Sequence, residues 1–597
     1  MTLTQANRLM RVSTPLGEDV LVLREMTAEE HLSQPFEFTL ELLSTNGNIK
    51  LEDLLGKYIT VELTTQNGGT RYFNGVVSKF ALTGAHGGFV AYRAVVRPWL
   101  WLLTRTSDCR IFQEMTVPDI VATVFRDLGF TDFDNRLMGD YRKRDYCCQY
   151  NETTFDFVSR LLEQEGIYYY FSHDNGKHTL VLADSISGHD LVPGYEEIPY
   201  FPPQAQQRRE RDHIYAWSLE REVQSGAYAH NDFDFEKASA DLNTKLVAPA
   251  NHAHADFETY HYPGEYHEKS DGDHYARVRL ETLQAQHEHL VADGNARGLG
   301  IGNLFRLTGS GRDDQNREYL ITGAEYTLIS DRYESATDTG DEPLYTCRLH
   351  AIASQHPYRH PCDTPKPVVP GPQTAIVVGK SGEELWTDQY GRVKVQFHWD
   401  RQGKKDENSS CWVRVAQSWA GNGWGSIHIP RIGQEVIVEF LDGDPDRPII
   451  TGRVYNNDTP VPYGLPTNAT QSGIKSRSSK GGGASNYNEL RFEDKKGSEH
   501  IHLQAEKDYT RVVKNNEEAE IQANHSVVIK GDHTMTITNA SRHEAKTILI
   551  TAADSIELKV GGSTIKMSPS SIDIDSTQIN ISGSAAVALK GGVVKLN

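Results

Sequence analysis

Gly379-Lys380-Ser381 has the residue types that end a phosphate-binding loop. That loop needs another glycine five positions earlier, so that backbone N–H groups can surround a phosphate, and Thr374 stands at that position. The triplet therefore predicts a glycine-containing turn of a small barrel rather than a nucleotide site.

Histidines are concentrated between residues 252 and 289, and imidazole is the commonest metal ligand in proteins. A zinc-protease helix would carry His-Glu followed by two residues and a second His, but His267-Glu268 continues as Lys269-Ser270-Asp271. We predict a solvated or interfacial segment without a metal, and metal binding is the alternative. The histidines concerned are His252, His254, His261, His267, His274, His287 and His289.

Cys147 and Cys148 are adjacent and could form a redox pair. They lie between Tyr146 and Tyr150 in a strand-like context, where successive side chains point to opposite faces. We predict a structural role for both, and reduced thiols for all six cysteines, which form neither a metal-binding spacing nor a disulfide framework.

Five tryptophans lie close together in the sequence and could stack on bases or sugars. The aspartates among them, from Asp388 to Asp446, would repel a nucleic acid. We therefore predict that these tryptophans pack in a core and in a subunit interface, where aromatic side chains contribute most. They are Trp386, Trp399, Trp412, Trp419 and Trp424.

The charge and the hydropathy of the 597-residue chain exclude further classes of protein. It has 81 acidic and 61 basic residues, a formal charge of −20, which disfavours binding to a phosphate backbone. Its longest strongly apolar run, residues 98–103, is far shorter than the roughly 20 residues that span a bilayer, and the first 20 residues lack a signal-peptide core. We expect a soluble protein made in the cytoplasm, with no catalytic residue, cofactor or metal.

Residues 1–365 mix strand patterns with short helices and predict an α+β base domain with antiparallel sheets. A helix is expected after Thr116, because a capping threonine and Pro118 precede an apolar periodic run. A second helix is expected after residues 151–154, with Phe155, Val158 and Leu161 on its buried face.

Prolines then indicate a linker over residues 366–373. About five short strands separated by Gly, Asp and Asn turns follow in residues 374–457 and predict a small closed barrel. A connecting segment is expected over residues 458–490.

Residues 491–597 differ from everything upstream. Pairs of apolar residues two positions apart recur every seven or eight residues, with polar and glycine residues between them, which predicts short strands of a β-solenoid. A single chain needs roughly 20 residues for each three-sided turn, so these shorter units favour three chains around one axis, with one strand per chain on each face. The residues predicted to line that axis include Leu558, Ile565, Ile572, Ile574, Ile579 and Ile581.

Several segments resemble one family. The barrel sequence contains CWVRVAQSWAG at 411–421, IPRIGQEV at 429–436 and GDPDRP at 443–448. These segments, FDFVSRLLE at 155–163 and NELRFED at 488–494 resemble the VgrG spike proteins of bacterial type VI secretion. The resemblance extends over the whole chain.

The resemblance implies a mainly β fold with an α+β base: a domain like a phage tail hub, an oligosaccharide-binding (OB) fold barrel and a triple-stranded β-helix needle. It also implies a homotrimer, with two related sheets per chain in the base, that sits on a tube of Hcp hexamers. A PAAR-repeat protein would cover the tip, and effector and adaptor proteins would be carried. It further implies that the protein is exported without a signal peptide. The protein would contact membranes only by puncturing them mechanically.

The tip is expected at Val593, Val594, Leu596 and Asn597, where apolar side chains at the last turn of the prism need a cover. Since the sequence ends within the strand pattern, we expect no enzyme domain after the needle. Two alternatives are kept: the central spike of a phage or related contractile particle, and an enzyme-bearing spike whose effector domain is missing here.

Overall fold

The computed structural model describes residues 3–203, 211–330, 333 and 344–595. The chain divides into two compact units, Met1–Asp508 and Tyr509–Asn597. No helix in the described ranges is long and apolar enough to cross a membrane.

The base is mainly β-structure, and several of its strands alternate buried apolar and more exposed polar residues. In one central strand Met26 and Ala28 are buried, whereas Thr27 and Glu29 are exposed. Its strands are β1 (Met10–Ser13), β2 (Val22–His31), β3 (Glu37–Ser44), β4 (Tyr58–Thr64), β5 (Thr70–His86), β6 (Phe89–Arg97), β7 (Ser107–Phe112), β8 (Phe133–Arg136), β9 (Cys147–Thr153), β10 (Tyr168–Asp174), β11 (Lys177–Ala183), β12 (Asp190–Leu191), β13 (Glu197–Pro199), β14 (Ile214–Arg221), β15 (Ala227–His230), β16 (Thr244–Val247), β17 (Glu258–His261), β18 (Glu288–Gly294), β19 (Asn303–Thr308), β20 (Glu318–Ile329) and β21 (Tyr345–Ala353).

Thirteen of the described strands form one sheet, whose main path is β1-β4-β5-β6-β3-β2-β20-β21-β18-β14. From β2 the path continues through β3, β6, β5, β4 and β1, and from β20 it continues through β21, β18 and β14. The two halves meet where β2 pairs antiparallel with β20, from Glu25 opposite Ile329 to His31 opposite Gly323. Where two related sheets were expected in the base, the structure therefore has one thirteen-stranded sheet, because this ladder joins the two halves.

Three α-helices accompany the sheets: α1 (Val117–Asp127), α2 (Thr154–Glu165) and α3 (Lys269–Ala285). The first two begin where they were expected, and the Thr116 and Thr153 hydroxyls accept hydrogen bonds from the N–H groups of Asp119 and Asp156. Gly166 ends α2 in the left-handed conformation, with φ 72°. The sequence patterns did not predict α3.

The predicted barrel is present and has five strands in the order β23-β22-β25-β26-β24. An isolated bridge between Val393 and Val413 joins the two ends of that order and closes the barrel. Valines dominate the interior, among them Val377, Val395 and Val436. The strands are β22 (Gln373–Val378), β23 (Lys394–Phe397), β24 (Arg414–Val415), β25 (Glu435–Phe440) and β26 (Pro448–Val454).

The proline-rich residues 366–372 carry no strand or helix, yet they are firmly held against the barrel and the base. The N–H of Val369 donates to the carbonyl of Gly443 at 2.8 Å. The Lys366 Nζ lies 2.8 Å from a carboxylate oxygen of Asp444, 3.1 Å from one of Asp446 and 3.2 Å from one of Glu265. The segment is therefore a packed connection rather than a flexible spacer, because a buried ion cluster fixes its first residue.

Two strand meanders follow the barrel. The first is β27 (Gln471–Lys475), β28 (Glu489–Glu493) and β29 (His500–Gln504), at the end of the first unit. The second is β30 (Ile556–Val560), β31 (Ser563–Met567) and β32 (Ile572–Asp575), in the second unit. Both are antiparallel, and residues 505–555 between them carry no strand.

Candidate functional site: the apolar needle face

The second meander places its apolar residues on one face. Leu558 is opposite Ile565, which is opposite Ile574 on the next strand. Paired residues of neighbouring strands share a face, as do residues two positions apart. The face, which we call the needle face, therefore consists of Ile556, Leu558, Ile565, Met567, Ile572 and Ile574, and the opposite face of Glu557, Lys559, Thr564, Lys566, Asp573 and Asp575.

In a single chain the needle face is largely open to solvent. The exposed fraction is 57% for Leu558, 68% for Ile572 and 52% for Ile574, and Ile565 is also exposed. Burying one such side chain contributes about 1.5–3 kcal/mol. A contiguous apolar surface of this kind is typical of an interaction site.

The meander differs from the predicted arrangement of one strand per chain on each face. Val560 and Ser563 are paired across Gly561-Gly562, a two-residue hairpin loop in which Gly561 has φ 55°. At the next turn the N–H of Ser568 donates to the carbonyl of Ser571 at 2.8 Å. These turns reverse the chain, so that the strands β30, β31 and β32 pair with one another within a single chain.

The remaining predicted needle residues lie beyond the meander, in residues 576–595, which carry no assigned strand. Ile579 and Ile581 are 48% and 67% exposed, and Val593 and Val594 are 77% and 50% exposed. The predicted tip residues Leu596 and Asn597 lie outside the described residues.

A second apolar face, which the sequence analysis missed, lies on the first meander. Leu490 is opposite both Ile474 and Leu503, and Phe492 is opposite Ile501. All five side chains are exposed, by 37% to 68%. The signal was available in the sequence, because Leu490 with Phe492 and Ile501 with Leu503 repeat the two-residue spacing of the tail.

The other sequence candidates are dispersed. In the described part of the chain, no group of three or more His, Cys, Asp and Glu side chains is arranged to hold a metal ion. The His252 and His287 rings are 5.2 Å apart, His274 lies on α3 and His289 on β18. Gly379 follows β22 directly, as a turn between barrel strands would.

The tryptophans separate into two groups. Trp399 stacks on Phe397 at 4.9 Å between ring centroids and joins the barrel core, and Trp386 faces Trp412 at 6.3 Å. Trp419 and Trp424 are instead 63% and 59% exposed. This second pair therefore does not pack in the core, because it lies in an exposed loop between β24 and β25.

Three family models match the chain. Residues 29–331 match the phage tail baseplate hub family, and residues 375–455 match the type VI secretion system and phage-baseplate injector OB domain. Residues 472–577 match the C-terminal trimerisation domain of bacteriophage T4 gp5. This last range contains both apolar faces.

Characterised relatives agree with these matches over most of the chain. The type VI secretion system spike protein VgrG1a of Pseudomonas aeruginosa is 50% identical over 598 residues, which cover 97% of this chain and 92% of the relative. VgrG1b of the same organism is 54% identical over 517 residues, which cover 87% of this chain and 70% of the relative. The chain belongs to the VgrG family of type VI secretion spike proteins. It is thus mainly β, with a hub-like base, an OB-fold barrel and a gp5-like β-helical needle.

Solved structures share the VgrG fold. An Escherichia coli type VI secretion component described as similar to the T4 tail proteins gp27 and gp5 has a TM-score of 0.53 at 21% identity, covering 74% of this chain and 100% of that chain. A Francisella VgrG in a complex with PdpA has a TM-score of 0.51 at 10% identity, covering 83% of this chain and 88% of that chain. These likenesses support the fold alone.

One further relative carries an enzymatic name. The actin cross-linking toxin VgrG1 of Vibrio cholerae is 32% identical over 542 residues, which cover 88% of this chain but 48% of that protein. The P. aeruginosa relatives are named as spike proteins.

Proposed function

We propose that this VgrG chain acts as a structural puncturing spike, as a homotrimer without catalytic activity of its own. The observation that carries the proposal is the needle face. Six apolar side chains lie together on one side of a meander, four of them exposed to solvent in the single chain, within the segment that matches a trimerisation domain.

Three copies of the needle face can cover one another around a common axis. The opposite face of the meander carries Glu557, Lys566 and Asp573 and would remain in water. Burial of the apolar side chains of three chains would supply the association free energy, at about 25 cal/mol for each Å² of apolar surface. The proposed axial contacts are Leu558, Ile565, Ile572, Ile574, Ile579 and Ile581.

The base is proposed to sit on a hexameric Hcp tube. Its large sheet has two halves joined by the β2–β20 ladder, so that a trimer would present six half-sheets. That number would match the six subunits of a hexameric ring.

The tip is proposed to bind a PAAR-repeat protein through Val593, Val594, Leu596 and Asn597. Val593 is 77% exposed and offers apolar contact. Effector and adaptor proteins are further proposed partners, and the Francisella VgrG–PdpA complex supports binding of other proteins by this family.

We propose synthesis in the bacterial cytoplasm and export by the secretion machine without a signal peptide. The net charge of −20 argues against nucleic acid as a partner. Contact with a membrane would occur only as the spike is driven through it.

The experiment that tests the proposal is light scattering of the purified full chain, combined with secretion and competition assays in a strain lacking this gene. A chain of 67.0 kDa should give a particle of three times that mass, about 200 kDa. Complementation should restore Hcp export and killing of competitor cells. A monomer at micromolar concentration, or full secretion without the chain, would refute the proposal.

A further inference from the structure

Trp419 and Trp424 lie in the long connection between β24 and β25. We call residues 416–428 the Trp loop. The loop is a short, locally hydrogen-bonded hairpin rather than an irregular chain: the N–H of Gly421 donates to the carbonyl of Trp424, and the N–H of Ser426 to that of Trp419, both at 2.9 Å. The hydroxyls of Ser418 and Ser426 are 2.6 Å apart and brace its base.

The two indole rings are fixed against each other on this hairpin. Their centroids are 5.1 Å apart and the rings are inclined by 71°, the edge-to-face geometry that aromatic pairs prefer. The Trp424 ring covers Gly421, where a Cβ atom would lie 2.3 Å from the ring. The rings are therefore held in place before any partner binds.

The Trp loop presents this pair outward. Trp419, Trp424 and Ile427 are 63%, 59% and 70% exposed. Residues 416–428, AQSWAGNGWGSIH, contain no Asp, Glu, Lys or Arg. An uncharged, preorganised aromatic surface of this kind suits an apolar partner.

The loop is continuous with the trimerisation segment. Just after it, the Arg431 guanidinium donates to the carbonyl of Arg477 at 2.8 Å. On the same side of the barrel, Glu384 accepts hydrogen bonds from the Ser479 hydroxyl at 2.7 Å and from the Gly481 N–H at 2.8 Å. Residues 477–481 belong to the range that matches the trimerisation domain.

We infer that in the trimer the Trp419–Trp424 pair of each copy is buried against the neighbouring copy, as a subunit contact at the barrel separate from the needle face. This inference rests on the proposed trimer and identifies where the barrels hold one another. A sugar is a less suitable occupant, because rings inclined by 71° do not offer two parallel faces for stacking.

The test places the photo-crosslinking residue p-benzoylphenylalanine at position 424 of the full chain. Irradiation of the trimer should join one chain to another, giving a band at twice the chain mass. The matched control places the same residue at Met138, which is 71% exposed in the base. An absent chain-to-chain product at 424, or an equal yield at both positions, in a sample that light scattering shows to be trimeric, would overturn the inference and leave the proposed function intact.

A second variant, W419S/W424S, tests the same subunit contact without cross-linking. Because both rings are exposed in the single chain, the folded barrel should persist, as circular dichroism would report. The trimer should dissociate at a protein concentration at least tenfold higher than the parent trimer. An unchanged dissociation concentration, or quenching of the Trp419 and Trp424 fluorescence by soluble glycan fragments of peptidoglycan in the intact trimer, would overturn it.

Discussion

Cys147 and Cys148 are consecutive residues of β9, yet their side chains pack in two different hydrophobic cores. Cys147 lies in the base core with Phe112 and Phe157. Cys148 lies in the barrel core with Val377. One strand therefore contributes to both domains, and the backbone N–H of Cys148 donates to Asp446 of the barrel at 2.6 Å. The predicted orientation of the two thiols to opposite faces is confirmed.

Burial should make these two thiols unreactive in the folded protein. It raises the pKa of Cys147 to about 11 and raises that of Cys148 as well. We expect iodoacetamide at pH 8 to modify Cys362, whose side chain is exposed although burial of its thiol also raises its pKa, and to reach Cys147 and Cys148 only in denaturant, as peptide mass spectrometry would measure. Alkylation of either β9 cysteine at the rate of Cys362 in the native protein would contradict the two-core arrangement.

Lys366 should be important for the junction of base and barrel. Although burial disfavours its charge, the carboxylates of Asp446, Glu265 and Asp444 raise its pKa. Replacing Lys366 with Met would leave these acids without their cation, at a cost on the order of 3 kcal/mol, since its side chain is still 23% exposed.

Chemical denaturation of Lys366→Met would measure that loss. Lys480→Met is the matched control, because Lys480 and its partner Glu383 are 61% and 42% exposed and such a pair contributes less than about 1 kcal/mol. Equal stability of the two variants would show that the cluster does not fix the junction.

His189 should make the base less stable in mild acid. Burial lowers its pKa from 6.5 to about 4, and the neutral ring donates from Nδ1 to the Gly302 carbonyl and accepts from the Tyr168 hydroxyl. The unfolded chain therefore binds a proton between pH 6.5 and pH 4 that the folded chain does not. Stability from this group is complete above pH 6.5 and falls as the pH is lowered towards 4, by about 3 kcal/mol in total.

Urea unfolding of the base at pH 7 and pH 4.5 would test this. His189→Gln should be less stable than the parent at pH 7 but should lose about 2–3 kcal/mol less on acidification. The same pH dependence in both proteins would assign the acid sensitivity to other groups.

Local sequence signals predicted much of the base and the barrel. Thr116 with Pro118, and Thr153 before an amphipathic run, each fix a helix start by satisfying exposed N–H groups, and both helices begin there. The helix α3 has no such signal: Glu268 makes no side-chain cap, and Gly272 interrupts the first turns. Its buried residues Ala276 and Leu280 pack beside Tyr228 of β15, a tertiary contact that sequence spacing does not reveal.

The apolar residues of the needle could be predicted from the sequence, but the pairing of its strands could not. The two-residue spacing of Ile572 and Ile574 places both on one face, as the meander has them. Val560 pairs with Ser563 because the Gly561-Gly562 hairpin reverses the chain. The repeat pattern does not distinguish this hairpin from the other polar turns. The sequence named Trp419 and Trp424 as packing residues but did not separate this exposed pair from the buried tryptophans, because exposure depends on the position of the loop in the fold, which residue types alone do not specify.

A charge on the needle face should prevent trimerisation without unfolding the chain. Ile565→Asp would place three carboxylates in the proposed axial core, at a cost of several kcal/mol per copy on burial. Thr564→Asp is the matched control, because Thr564 lies on the opposite face, next to Lys559. Light scattering should show monomers for Ile565→Asp and trimers for Thr564→Asp. Trimers of both variants, with equal dissociation concentrations, would exclude the needle face as the interface.

Removal of residues 591–597 should abolish capping while leaving the trimer intact. The needle face at residues 556–574 is unchanged by this deletion, so association should persist, whereas Val593 and Val594, 77% and 50% exposed, would be lost from the tip. A pull-down with a PAAR-repeat protein should then recover no cap, and killing in a competition assay should fall to the level of a strain without the spike. The variant Val593→Asp/Val594→Asp serves as a second test, because it keeps the chain length and places six carboxylates at the tip of a trimer, where an apolar partner cannot offset their desolvation. If the deleted spike bound the cap with unchanged affinity, the cap would have to contact the needle at residues before 591.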